Sequence, residues 1–119
     1  MIKDFEQMTV WQEAVRLAKN VYQTTRRFPK EEQFGLTNQL RRASVSISAN
    51  VAEGFGRLQS KDKAHFYVIA LGSLLESKSL LYVAHELKLI NKAELADYKT
   101  NIEQLHKQLN KLIGIIRKA

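Results

Sequence analysis

The sequence contains no cysteine, one proline and five glycines. The absence of cysteine excludes a disulfide framework and a metal site built on thiolates. The few prolines and glycines leave little turn material for the short strands of a β-sandwich or barrel. No stretch approaches the roughly 20 apolar residues of a membrane span, and the N-terminal segment lacks the apolar run of a signal peptide. We therefore expect a helical, cytoplasmic protein that does not enter a membrane.

The composition is that of a folded globular chain. Hydrophobic residues make up 45% and charged residues 26% of the 119 positions. This balance lacks the polar bias that keeps a chain disordered, and the length is sufficient for an independent core. No linker or low-complexity tract interrupts it, so residues 1–119 are predicted to form a single domain.

Apolar residues at helical spacing predict two helices in the first half of the chain. The first is expected to begin at Thr9, with Thr9 and Gln12 forming a capping box, and to end before Pro29, because the residue preceding a proline is driven out of the α region. The second is expected to run from about Leu36 to Gly54, where glycine would end it.

Two further helices are predicted in the second half. Ser60 is expected to cap a long, central third helix. Its apolar face is Val68, Leu71, Leu75 and Tyr82, with Phe66, Ala70, Leu74 and Leu81 beside it. Gly72 within it costs about 1 kcal/mol relative to alanine, which suggests close approach by a neighbouring helix. Asn91 and Glu94 form a capping box for the fourth helix. Its heptad seam is Leu95, Tyr98, Ile102, Leu105, Leu109, Leu112 and Ile116. Short connections favour an antiparallel up-down four-helix bundle, an all-α fold.

The second helix carries a further small-residue surface beside its core stripe. Its candidate subunit-interface residues are Arg41, Val45, Ala49, Ala52 and Glu53. A helix with two such stripes packs on more than its own bundle, which favours self-association. An ordinary Ala- and Ser-rich surface is the alternative.

The sequence shows no catalytic or metal-binding motif. None of His65, His85 and His106 has a second histidine at the spacing of a helical metal site. The serines at 44, 46 and 48 lack both a base at a predictable position and a strand-turn-helix elbow. We therefore expect no enzyme activity, no metal and no cofactor. A polar ligand site between the second and third helices is kept as an alternative.

The formal net charge is +7, and such a surface attracts polyanions. The candidate nucleic-acid-binding residues are Arg26, Arg27, Arg41, Arg42, Arg57, Lys61 and Lys63. In an up-down bundle Arg26 and Arg27 lie at the opposite end from Arg57, so one subunit cannot join all of them. Arginine suits both phosphate and buried carboxylate. Arg41 or Arg42 is therefore assigned to nucleic acid or, equally, to an interface ion pair with Glu53, Glu76 or Glu86.

A set of segments from Phe28 to Arg57 resembles the four-helix-bundle proteins encoded in ribosomal-RNA intervening sequences. They are Phe28-Pro29, Phe34-Gly35-Leu36-Thr37, Gln39-Leu40-Arg41-Arg42-Ala43, Val45-Ser46-Ile47, Asn50-Val51-Ala52-Glu53-Gly54 and Gly56-Arg57. The likeness begins at Val10-Trp11-Gln12 and continues through Phe66, Ile69-Ala70, Gly72-Ser73-Leu74 and Glu76. Where relatives often carry a second glutamate, this chain has Lys78.

The resemblance implies an up-down bundle that assembles as a homo-oligomer, commonly a pentamer. Similar bundles include the accessory protein of diversity-generating retroelements, whose basic ring is associated with nucleic acid and a reverse transcriptase. The family's older label as a ribosomal protein implies no ribosomal role.

Two functional hypotheses follow. The first is a non-enzymatic, oligomeric adaptor that binds RNA or DNA through clustered arginines and lysines. The second is a protein-interaction scaffold that does not bind nucleic acid, in which the arginines form ion pairs across subunits. Either could also bind a protein partner.

Overall fold

The computed structural model describes residues 1–119 as four α-helices and two short 3-10 turns, with no strand. The helices are α1 (Thr9–Thr25), α2 (Leu36–Gly56), α3 (Ser60–Glu86) and α4 (Lys92–Lys118). The 3-10 turns cover Phe5–Gln7 and Lys30–Glu32. The molecule measures 45 × 24 × 20 Å, so the helices run along its long axis.

Contacts between sequential helices establish their antiparallel order. The guanidinium of Arg57 at the end of α2 lies 4.5 Å from the ring centroid of Phe66 near the start of α3. Farther along the same pair, Ser46 Oγ and Ser73 Oγ are 2.9 Å apart. The fourth helix closes the bundle against the first, where Thr24 and Tyr98 share a hydrogen bond of 2.6 Å. The predicted all-α up-down four-helix bundle is confirmed.

The core is a continuous cluster of buried aliphatic residues from all four helices. The apolar face predicted for α1, Val10, Ala14, Leu17 and Val21, is buried, as are the first five residues of the α4 seam. At its end the seam changes: Ile113 is buried at 6% exposure, while Leu112 and Ile116 are half-buried.

Only one of the two predicted capping boxes on α1 and α4 forms. Asn91 Oδ1 accepts from the Glu94 backbone N–H at 2.8 Å, and Glu94 Oε1 accepts from the Asn91 N–H at 3.0 Å. The box predicted at Thr9 was wrong. Met8 is the N-cap residue of α1, without a side-chain hydrogen bond, because Gln12 Nε2 instead donates to the Glu6 carbonyl at 2.9 Å.

The predicted end of α2 at Gly54 was also wrong, since the helix continues to Gly56. No glycine in the chain has a positive φ, so the left-handed glycine cap is not used. Gly54 is instead buried where α2 meets α3. A Cβ atom there would lie 2.6 Å from Cε1 of Tyr67, so the missing side chain permits close packing.

The third helix buries the second of its two predicted apolar stripes. Its buried residues are Ala64, Tyr67, Ala70, Leu74, Ser77, Leu81 and Ala84. Val68, Leu75 and Tyr82 of the first stripe are instead 40%, 44% and 38% exposed. Apolar residues surround the whole helix, so periodicity did not show which stripe faces inward.

The outer side of α3 is unusually apolar for an exposed helix surface. Gly72 lies there with no atom within 4 Å of a Cβ built on it, so no helix of this subunit approaches it and that prediction was wrong. By length and composition alone α3 is long and apolar enough to cross a membrane, contrary to the expectation from sequence. The core helix of a helical bundle can have the same length and composition. Of the 18 most apolar consecutive residues of α3, 28% are buried in the bundle.

Candidate nucleic-acid and subunit interfaces

The predicted basic residues lie at both ends of the bundle. Arg26 and Arg27 follow α1 beside the start of α2, while Arg57, Lys61 and Lys63 surround the connection between α2 and α3 at the other end. Arg27 forms a hydrogen-bonded ion pair with Glu94 of α4, whereas Arg26 is exposed and makes no ion pair. The two ends therefore present separate surfaces.

Arg41 connects α2 to the end of α1. Its Nε donates to Thr25 Oγ1 at 2.9 Å, and its guanidinium carbon lies 4.5 Å from the ring centroid of Tyr22. Thr25 Oγ1 donates in turn to the Val21 carbonyl at 2.7 Å. A guanidinium has five N–H donors, so most of this group stays available after the contact with Thr25 is made.

Arg42 is exposed and forms no ion pair within the subunit. It lines a polar groove between α2 and α3 together with Ser46, Ser73 and Glu76. Neither Arg41 nor Arg42 is paired with any of the three acids considered from the sequence, and Glu53 is instead 3.5 Å from Arg57. Neither arginine therefore has an ion-pair partner in the subunit, although Glu76 lines the same groove as Arg42.

At the connection between α2 and α3, two of the three predicted basic residues are used internally. Lys63 Nζ donates to the carbonyls of Phe55 at 2.7 Å and Gly54 at 3.4 Å, which satisfies the free carbonyls at the end of α2. Arg57 is held by Glu53 and by the ring of Phe66. Lys61 alone is exposed without such a partner.

A larger group of basic residues beside Lys61 was missed in the sequence. The second half of α4 contains no acid after Glu103, and this one-sided run was the signal that could have revealed it. The three lysines of this half are Lys107, Lys111 and Lys118. At 100° per residue they fall within about 40° of one another on the outward side of α4. We define the basic pole as Lys61, Lys107, Lys111, Arg117 and Lys118.

A cleft at this end brings α3 and α4 together. It encloses about 510 Å³ and is lined by Lys61, His65, Val68 and Arg117 among others. Asp62 is the acid of the first turn of α3, and it lies about 100° around the helix from Lys61. No Asp or Glu side chain is among the residues that line the cleft, which include the chain terminus Ala119.

The opposite end of the bundle has mixed charge. Its basic residues are Arg26, Arg27, Lys30, Lys88 and Lys92, and its acidic residues are Glu31, Glu32, Glu86, Glu94 and Asp97. These five positive and five negative charges cancel, so the excess positive charge of the chain lies elsewhere. The end with the basic pole also holds the acids Asp4, Glu6, Glu53 and Asp62.

The candidate subunit-interface residues form a groove on the outer side of α1 and α2. We define the α1–α2 groove by Tyr22, Arg41, Arg42, Val45 and Ala49, which line it together. Tyr22 is 39% and Val45 42% exposed. Ala52 lies half-buried beyond the groove, and Glu53 is not among its lining residues. The sequence had not indicated that α1 contributes to this surface.

The alternative of a polar site between α2 and α3 gains no support from the buried serines. Ser44 Oγ donates to the Arg41 carbonyl at 3.1 Å, and Ser77 Oγ donates to the Ser73 carbonyl at 2.9 Å. Each serine thus bonds its own helix backbone and acts as a small packing residue. No three His, Asp or Glu side chains converge as metal ligands.

Two buried tyrosines are the groups whose titration is displaced. Burial raises the pKa of the Tyr67 hydroxyl. Burial also raises the pKa of Tyr98, and the hydrogen bond with Thr24 opposes the shift without reversing it. Both hydroxyls are packing groups at helix contacts, so neither is suited to act as an acid or base near neutral pH.

These features define a small antiparallel four-helix bundle with a basic pole and exposed apolar surfaces. Residues 6–111 match the family described as 23S rRNA-intervening sequence protein, and the chain belongs to that family. It is similar to the crystal structure of a protein of unknown function from the S23 ribosomal protein family of Bacteroides thetaiotaomicron VPI-5482. The TM-score is 0.82 at 20% identity, covering 88% of this chain and 95% of that one, which shows a shared fold. Comparison with curated proteins found no match.

Proposed function

We propose that the protein is a non-enzymatic homo-oligomer that binds RNA or DNA through its basic pole. The observation that carries the proposal is a set of exposed cations without ion-pair partners. Lys61 and Arg117 line the α3–α4 cleft, and Lys107, Lys111 and Lys118 lie on the outward side of α4. The charges of the opposite end cancel. Lysine and arginine side chains in such an arrangement neutralise phosphates and release condensed counterions. Binding of this kind follows the phosphate backbone and is insensitive to base sequence.

The residue contacts refine the candidate nucleic-acid interface. Lys61 is the best placed of the predicted residues because its side chain is exposed and unpaired. Lys63 and Arg57 are less available, since Lys63 donates to helix carbonyls and Arg57 lies beside Glu53. Arg26 is an exposed cation outside the pole, and in an oligomer it could add a weaker contact along a nucleic acid.

Self-association is supported by the amount of apolar surface that one subunit leaves exposed. Val45 on α2 and Val68, Ile69, Leu75 and Val83 on α3 are each between 38% and 44% exposed. Contiguous apolar surfaces of this kind mark interaction sites on folded proteins. A subunit count of five is the count that the resemblance implies, and a repeated pole would multiply the charge presented to nucleic acid.

The test is a titration of a short fluorescent RNA at several salt concentrations, read by anisotropy. The logarithm of the association constant should fall linearly with the logarithm of the salt concentration. The slope should be about −0.7 for each phosphate neutralised on a single strand. K61E combined with K111E should weaken binding at low salt by roughly tenfold for each lost contact. The matched control is K30E with K92E, which makes the same charge change at the opposite end.

Equal losses in both double variants would show that only net charge matters and would remove the pole from the proposal. Absence of RNA and DNA binding at low salt, in a protein that is still assembled, would remove nucleic-acid binding altogether. That second outcome would favour the protein-interaction scaffold, for which the contact of Arg41 with Tyr22 and Thr25 is the supporting observation.

A further inference from the structure

The subunit exposes two apolar surfaces of opposite charge, which adjoin at the groove between α2 and α3 that Arg42 and Glu76 both line. One is the α1–α2 groove defined above. The other, which we call the α3 outer face, consists of Val68, Ile69, Gly72, Leu75, Glu76 and Val83. Helical geometry of 100° per residue places these six residues within about 120° on the side of α3 that points away from its buried residues. Neither surface is covered by another element of the same chain.

The charges of the α3 outer face are negative. Glu76 lies among its apolar residues and Glu86 follows at its C-terminal end, and neither forms an ion pair in the subunit. The one basic residue of this stretch, Lys78, lies about 160° around the helix from Glu76. A partner that buries this face must therefore supply positive charge to Glu76, because an unpaired buried carboxylate is costly.

The α1–α2 groove supplies that charge. Arg41 and Arg42 line it, no acidic residue does, and neither arginine is ion-paired. Its floor is Val45 and Ala49, small enough for a helix to approach closely. Gly72 offers the same closeness from the other side, since nothing lies within 4 Å of its missing side chain.

We propose that the α3 outer face of one copy docks into the α1–α2 groove of the next, with Glu76 meeting Arg42 and the free donors of Arg41. This inference rests on the proposed self-association and adds which two surfaces meet. Because the surfaces differ, the contact is heterologous and every subunit has one of each to offer. Repetition of the contact closes a ring when the rotation between neighbours permits.

The arrangement divides the basic residues between two tasks. Arg41 and Arg42 would be covered in the assembly, so they would not be available to phosphates. The basic pole lies at the end of the bundle and would remain open, repeated once for each subunit. Of the two alternatives for Arg41 and Arg42, this contact favours interface pairing, and nucleic-acid binding would be left to the pole.

Charge reversal and mixing test the contact. E76R and R42E are each expected to lower the molar mass by light scattering toward that of one chain, 13.7 kDa, because like charges then face each other. An equal mixture of the two is expected to regain mass above that of one chain, since the altered α3 face of one fits the altered groove of the other. Two variants cannot alternate throughout a ring of five, so recovery of the full wild-type mass is not required. K92E and E103R serve as controls that should retain the mass of the wild-type assembly, and circular dichroism verifies that each variant is helical.

Mixing also separates a contact between copies from one within a subunit, because Arg42 and Glu76 line a common groove of the same chain. A contact within the chain would not be repaired by a second chain. The proposal is overturned if both single variants keep the wild-type mass, or if they dissociate and the mixture does not recover. A wild-type mass of 13.7 kDa would overturn the proposed self-association as well, and RNA binding is judged separately by its own titration.

Discussion

A Cβ atom on Gly54 would lie 2.6 Å from Cε1 and 2.9 Å from Cδ1 of Tyr67. Real Cβ atoms essentially never approach other atoms so closely, so the ring would have to move. Tyr67 is only 2% exposed, and a buried ring among close-packed neighbours has little room to shift. The pair therefore fixes the distance between α2 and α3 at the end of the bundle where the basic pole lies.

Replacing Gly54 with alanine is expected to destabilise the fold by about 1–3 kcal/mol, the usual cost of overpacking a core. Alanine favours a helix by about 1 kcal/mol over glycine, so the steric cost must exceed this gain. The measurement is urea unfolding followed by circular dichroism. Gly114→Ala in α4 is the matched control, because its new side chain meets nothing within 4 Å, and it should raise stability. A stabilised Gly54→Ala variant would contradict the packing argument.

The helix N-termini give a paired prediction. Asn91→Ala removes both the side-chain acceptor and the reciprocal arrangement with Glu94, and should cost about 1 kcal/mol of unfolding free energy. Thr9→Ala should change it by less than about 0.5 kcal/mol, the range of an ordinary surface substitution, because Thr9 caps nothing. Thermal or urea unfolding of both variants checks this. Equal losses would show that α1 does depend on a side-chain cap at Thr9.

Helix number, order and approximate bounds could be predicted because apolar spacing, Pro29 and the Asn91 box act locally. The α1 and α4 faces were recovered for the same reason, since each has one apolar side. On α3 the sequence showed two apolar stripes but not which of them faces inward, because a helix that is apolar all round offers little contrast between its sides. The roles of Gly54 and Gly72 also depend on what packs nearby, and both predictions were wrong. Gly54 makes a close contact with α3, and Gly72 lies on an open surface.

The candidate site was only partly accessible from the sequence. The topology alone placed Arg26 and Arg57 at opposite ends, and this depended on nothing beyond the helix count. Whether a given cation is free depends on tertiary contacts, such as the bonds of Lys63 to the carbonyls that end α2. The pole was missed because its members Lys61 and Arg117 are far apart along the chain and meet only in the bundle.

The two buried tyrosines predict a loss of stability in alkaline solution. Their hydroxyl pKa values are raised in the folded state, whereas the unfolded chain ionises near the ordinary value of about 10. Below about pH 10 both states are protonated, so these groups leave stability unchanged. As pH rises through that value toward the folded pKa, the unfolded state loses protons first and the unfolding free energy falls.

Urea unfolding between about pH 8 and pH 11 measures this effect, with tyrosinate absorbance following the ionisation itself. Tyr67→Phe and Tyr98→Phe should each make the alkaline fall shallower, because the substituted ring cannot ionise in either state. Phenylalanine at 98 also removes the bond to Thr24, so the comparison is of slopes with pH and not of stability at one pH. An unchanged slope in both variants would contradict the assignment to these tyrosines.

Arg41 is expected to stabilise the subunit independently of any assembly. Arg41→Ala removes the hydrogen bond to Thr25 and the stacking on Tyr22, which are worth about 1 kcal/mol each at partly exposed sites. Arg41→Lys keeps the charge but not the planar group that makes both contacts, so it should recover little of the loss. Arg42→Ala is the control, since Arg42 makes neither kind of contact.

The unfolding free energy is measured in the E76R background, where the assembly is expected to be absent, so that the stability of the subunit alone is measured. Full recovery by lysine would show that charge, and not the shape of the guanidinium, is what Arg41 contributes.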